Sequence, residues 1–125
     1  MLAASGSYAP VMPQYLFSVH HDVTDPKMSP EREQQSYADT GAFNQKLIDG
    51  GHFVFANGIT GPDEAVLVDN RNGDGKVTHE RYIAGNRYLG GFWVVAFDDD
   101  ATAQAWALDA SRACQQMVEV RRLHS

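Results

Sequence analysis

Residues 89–113 read LGGFWVVAFDDDATAQAWALDASRA. Phe92 to Phe97 is an unbroken apolar run, the length and composition of a strand with both faces covered. Three aspartates follow, and either Asp99 or Asp100 can cap a helix. Beyond them Ala103, Trp106 or Ala107, Ala110 and Ala113 or Cys114 recur at intervals of three and four, which makes one apolar helix face. A buried strand running into a capped amphipathic helix is half of an α+β unit.

The rest of the chain supplies the other half. Gln14 to His20 (QYLFSVH) alternates, with Tyr15, Phe17 and Val19 on one side and Leu16, Ser18 and His20 on the other, a strand period. After a polar loop, Ser29-Pro30 opens a helix with a capping hydroxyl and proline at the first turn, and Glu31 and Glu33 complement its dipole. Tyr37, Phe43, Leu47 and Ile48 fall on one broad side of it, with Thr40 and Gly41 between, and Gly50-Gly51 ends it. His52 to Ala56 (HFVFA) is a second strand. Glu64–Asp69 and Lys76–Ile83 flank the turn-rich NRNGDG, as in a hairpin. Met117–Leu123 (MVEVRRL) alternates as a last strand.

This β-α-β-(β-β)-β-α-β order predicts an α+β fold. It reads as a ferredoxin-like two-layer sandwich, a largely antiparallel sheet with two helices on one face and an extra hairpin. Two helices leave the second sheet face uncovered, although Phe92–Phe97 is apolar on both sides. A homodimer packed sheet to sheet, as in dimeric α+β barrels, is the simplest cover for such a patch.

Composition narrows the function. The chain has 125 residues, 43% hydrophobic and 21% charged, with a net charge of −6, ordinary for one globular domain. The scattered Lys and Arg speak against nucleic acid, which needs a clustered basic face. The lone Cys114 closes no intrachain disulfide. No apolar run reaches the ~20 residues of a membrane span. Residues 1–12 lack the charged and apolar regions of a signal peptide. They read as a flexible leader before a single domain over 13–125, and the cytoplasm is the expected location.

With that pattern laid out, the chain resembles the YCII-related family, in its DGPF-domain branch. The resemblance is carried by YLFSVHHD, SPERE, the Gly50-Gly51 pair with its following strand, the hairpin, LGGFWVV, AQAWA and VEVRRL, and it covers roughly residues 13–123. It implies a small dimeric α+β barrel of ferredoxin-like topology. It also implies a suggested enzymatic role resting on a histidine of the first helix and an acidic partner. The chain departs from the family at both points. His79, Glu80, Arg81 and Tyr82 occupy the Asp-Gly-Pro-Phe positions, and Thr40 stands where the helix histidine is often found. A threonine hydroxyl does not ionise near pH 7 and is no general base there, so the family's catalytic pair does not carry over.

Asn70, Asn72, Asp74 and Gly75 fit positions 1, 3, 5 and 6 of a calcium loop, but Arg81 stands where the bidentate glutamate belongs, and a solvated turn accounts for the segment. The histidines have no HxH or HxxxH spacing, and His20 and His21 on a regular strand point to opposite faces. No metal or cofactor is expected. His52 and His124 read as solvated, and Trp93 and Trp106 as core. His79, Arg81, Tyr82 and Arg87 are the most suggestive group, because a histidine, a phenol and two guanidinium groups suit a small anion.

The favoured reading is a small-molecule-binding or regulatory homodimer without the family's catalytic pair. Thr40, Arg81, Tyr82 and Arg87 are its ligand-binding candidates, with a small anion as the possible ligand. The alternative is an acid–base enzyme acting on a small organic acid, with His79 or His20 moving the proton.

Overall fold

The structure, a computed structural model, describes residues 12–124, so most of the expected leader lies outside the described residues. The alternating segment at the start becomes strand β1 (Gln14–Asp22), and helix α1 (Pro30–Asp49) follows. Ser29 caps α1 by accepting from the Arg32 amide at 3.1 Å, and Gly51, at φ 76°, supplies the left-handed turn beyond it. After β2 (Phe53–Gly58) and a single 3-10 turn at Pro62–Glu64 come the short strands β3 (Leu67–Asp69) and β4 (Lys76–Thr78). The chain then runs through β5 (Arg87–Ala96), α2 (Asp100–Cys114) and β6 (Met117–Arg122). Of the two eligible aspartates, Asp99 caps α2 through the Thr102 amide at 2.8 Å.

The main sheet has the order β2-β5-β1-β6, with every neighbouring pair antiparallel. That is the ferredoxin-like arrangement expected from the sequence, with β3 and β4 as a separate two-stranded hairpin. The alternation along β1 and β5 sends Tyr15, Phe17, Val19, Trp93 and Val95 into the core under the helices. Their neighbours Leu16, Phe92 and Val94 lie on the other face. From α2 the small side chains Ala103, Ala107, Ala110 and Ala113 enter the same core and let the helix approach closely. Phe97 closes it, stacked at 6.2 Å on Phe17 and packed at 5.2 Å against Trp106. Complete burial of a phenylalanine contributes about 1.5–3 kcal/mol, so Phe17 and Phe97, both fully buried, are principal anchors. The Tyr15 hydroxyl donates to Asp100 at 2.6 Å and ties the start of β1 to the start of α2.

Three expectations change. Of the α1 side read from the sequence, Phe43 and Leu47 do face the core, but Tyr37 and Ile48 are 72% and 52% exposed. Instead Ser36 is buried, donating at 2.7 Å to the Ala113 carbonyl, with Phe43 and Leu47 below it. The helix is thus rotated so that a polar stripe faces inward. The hairpin strands are shorter than their apolar patterns, because Glu64 joins the 3-10 turn and His79 onward leaves the ladder. The NRNGDG turn closes on itself, with the Asn70 side chain accepting from the Gly75 amide at 2.7 Å. His52 is not solvated: it stacks at 4.4 Å on Phe97, and its Nδ1 lies 2.8 Å from the Ala96 carbonyl oxygen.

Candidate functional site

The ladder between β1 and β5 contains one irregularity. Val19 pairs with Gly91 and His20 with Leu89, so Gly90 is the extra residue of a β-bulge. Its carbonyl still accepts from the Ile59 amide at 2.9 Å, which holds the bulge against the chain leaving β2. Bulges re-aim the side chains beside them, and here the neighbour is His21. Its ring lies over Gly90, where a Cβ would overlap the imidazole. It also stacks on Tyr88 at 5.2 Å with an interplanar angle of 10°. Gly91 is tight for another reason, since a Cβ there would stand 3.1 Å from the Asn57 carbonyl oxygen.

His21 forms one wall of a cleft of 730 Å³ between α1 and the end of the sheet. The inward stripe of α1 forms the opposite wall. Ser36, Thr40 and Asn44 follow one another at the four-residue helical interval, and all three line the cleft. Trp93 forms the floor, and its indole N–H donates to the Asn44 side-chain oxygen at 2.7 Å. That bond fixes the Asn44 amide with its NH₂ group unspent, two donors for anything in the cleft. Val19, Met28 and Ala56 add apolar surface, and Lys27 and Glu33 also border the cleft.

Burial, and secondarily the neighbouring His20, push the His21 imidazole below its ordinary value of 6.5. It is therefore neutral at pH 7 and offers one N–H donor and one bare nitrogen acceptor. Neither ring nitrogen has a hydrogen-bond partner among the described residues. Cys114 lines the same cleft, and burial pushes its thiol up. It stays protonated and serves as a small apolar group there, not as a nucleophile.

The candidates named from the sequence divide between two places. Thr40 lies in the α1 cleft. His20, Arg81, Tyr82 and Arg87 border a second cavity of 510 Å³. His79 lines neither and is exposed. The strand alternation keeps His20 and His21 on opposite faces. His20 meets the Ser18 hydroxyl at 3.0 Å and lies 4.0 Å from Glu119. Sequence reasoning missed His21, Asn44 and Tyr88 as cleft residues. A signal existed for two of them: His21 continues the face of Tyr15, Phe17 and Val19, and Asn44 stands one turn after Thr40. Tyr88 joins them only through its pairing with His21 across the ladder.

Among the described residues no group of three or more His, Cys, Asp or Glu side chains is placed to hold a metal ion. No helix of the described residues is long and apolar enough to cross a membrane. The protein is thus a ferredoxin-like α+β domain with a largely neutral cleft between its first helix and its sheet. The chain belongs to the YCII-related domain family, whose model matches residues 15–124. None of the curated proteins searched matches it.

Proposed function

We propose that the protein binds a small uncharged molecule in the α1 cleft and lacks the catalytic pair suggested for its family. The observation that carries this reading is the His21 imidazole, held neutral, seated on Gly90 and left without a partner. It faces a cavity of ordinary ligand size that Thr40, Asn44 and Tyr88 also line. These groups offer donors and acceptors, while Trp93, Met28 and Val19 offer apolar contact, so a compact ring bearing an amide or hydroxyl suits the site.

Binding is favoured over catalysis by what surrounds His21. A catalytic histidine is usually oriented by a carboxylate on its second nitrogen, and none of the described carboxylates bonds to this ring. The acid–base alternative keeps one supporting feature, the neutral imidazole itself. If the cleft does transfer a proton, His21 is the group placed for it, since His79 lines neither cavity and His20 faces away.

The test is titration of the ¹⁵N-labelled chain with benzamide and cyclohexanol, followed by amide shifts. Saturable shifts at Thr40, Asn44 and Tyr88 are expected. They should weaken about tenfold in His21→Phe, which removes both polar atoms of the ring. Shifts confined to other parts of the chain, or affinity unchanged by His21→Phe, would overturn the reading.

We further propose that the chain assembles as a homodimer through the open sheet face. Leu16, Phe92 and Val94 lie there, and Phe55, 51% exposed, extends the patch with its ring 5.8 Å from Phe92. The DGPF branch remains our placement within the family, resting on LGGF at 89–92 and the hairpin before it.

A further inference from the structure

The second cavity, 510 Å³, lies at the same end of the sheet but on the His20 side. Its walls are mostly apolar, with Ile59, Pro62, Ile83 and Leu89 among them, and Arg81 lines it as well. Arg81 differs from every other arginine in the chain. It alone is partly withdrawn from solvent, while the rest are exposed. Its two terminal nitrogens donate to the Gly85 carbonyl, at 3.1 Å, and to the Arg87 carbonyl. The fork is therefore held in place by the loop it spans. Backbone carbonyls orient a guanidinium but do not neutralise it. Arg71, Arg87 and Arg122 each pair with an aspartate, and Arg81 pairs with none of the described carboxylates.

A half-buried, pre-oriented cation without a counter-ion in a cavity is a site for an anion, because part of its desolvation is already spent and its geometry is set. The charge count selects which anion. Of the two arginines at the cavity, Arg87 has its charge met by Asp22 at 3.3 Å, which leaves Arg81. One net positive charge remains, which matches a monoanion and not a phosphate dianion. The apolar walls require the rest of the ligand to be hydrocarbon. We propose that this cavity binds a monocarboxylate with an apolar body, with Arg81 as its anchor. The cavity shares only Tyr88 with the lining of the α1 cleft, and the proposal does not rest on the reading given for that cleft.

The experiment titrates hexanoate, hexanamide and inorganic phosphate into the ¹⁵N-labelled full chain. Hexanoate should shift the amides of Thr60, Arg81, Ile83 and Leu89 saturably. Hexanamide, which lacks the charge, and phosphate, which lacks the body, should each bind at least about tenfold more weakly. Arg81→Lys keeps the charge but loses the fork and should weaken hexanoate about tenfold. Because Arg81 also braces its loop, Ile83→Asp is the second variant. Ile83 is 69% exposed, so the fold tolerates the change while the new carboxylate repels the ligand. Hexanoate shifts confined to the α1 cleft, hexanamide or phosphate binding as tightly as hexanoate, or undiminished affinity in Ile83→Asp would each overturn the proposal. The benzamide titration of the α1 cleft is unaffected by any of these results, so the two readings fail separately.

Discussion

The imidazole of His21 occupies the space that a side chain at position 90 would need. The two residues lie on neighbouring strands at the bulge, so this glycine does not serve a turn: it leaves room for a ring. The first prediction follows from that packing. Gly90→Ala should force His21 to rotate out of its stack on Tyr88, with a stability loss of about 1 kcal/mol because the ring can move. Benzamide shifts in the cleft should disappear with it. The double variant Gly90→Ala, His21→Ala should recover the thermal midpoint but not the binding. A crystal structure of Gly90→Ala with His21 unmoved would refute the packing argument.

His21 also makes a prediction about pH. Its folded-state value lies below the ordinary 6.5, chiefly through burial. Above pH 6.5 the ring is neutral in both the folded and the unfolded chain, and its contribution to stability is constant. As pH falls below that value the unfolded chain takes up the proton first, so stability declines until the folded-state value has been passed. The urea midpoint of the wild type should therefore drop from pH 7.5 to pH 5 by more than that of His21→Gln. In the same range the His21 Cε1 proton resonance should titrate below 6.5.

Asn44 accepts from the indole of Trp93, which is 4% exposed. Replacing it with leucine strands a buried N–H, which costs about 1–3 kcal/mol. Asn44→Asp retains the acceptor and should cost less. Chemical denaturation followed by tryptophan fluorescence separates the two, and equal losses would mean that the bond does not matter.

The open sheet face should hold a second copy. Sedimentation at micromolar concentration should give about twice the 13.8 kDa chain mass. Val94→Asp, at the middle of β5 beside the core residue Val95, should give the monomer with an unchanged circular dichroism spectrum. A monomeric wild type would remove the argument from the uncovered face.

Several of these features were open to reading along the chain. Ser29-Pro30, Asp99 and Gly50-Gly51 mark helix ends by bonds that span three or four residues, and all appear where such bonds place them. The alternation of Tyr15, Phe17 and Val19 and the run at Phe92–Phe97 marked the two central strands. Less legible was the rotation of α1. Tyr37 and Ile48 looked inward by hydrophobicity, yet the buried Ser36–Ala113 bond and the alanine face of α2 turn the helix toward Phe43 and Leu47. The candidate site was half visible. Of the group His79, Arg81, Tyr82 and Arg87, which closeness in sequence suggests, the last three share a cavity and His79 does not, and His20 joins them only through the ladder.

What the sequence determined by itself was the order and kind of the main elements, and through them the fold, because caps, glycine pairs and two- and four-residue periods act within a few residues. Only the tertiary structure decided that His21, Thr40, Asn44 and Tyr88 line one cleft while His79 lies apart. That outcome depends on a one-residue slip at Gly90 and on how far α1 turns over the sheet. Both are set by packing among segments dozens of residues distant, which no local pattern encodes.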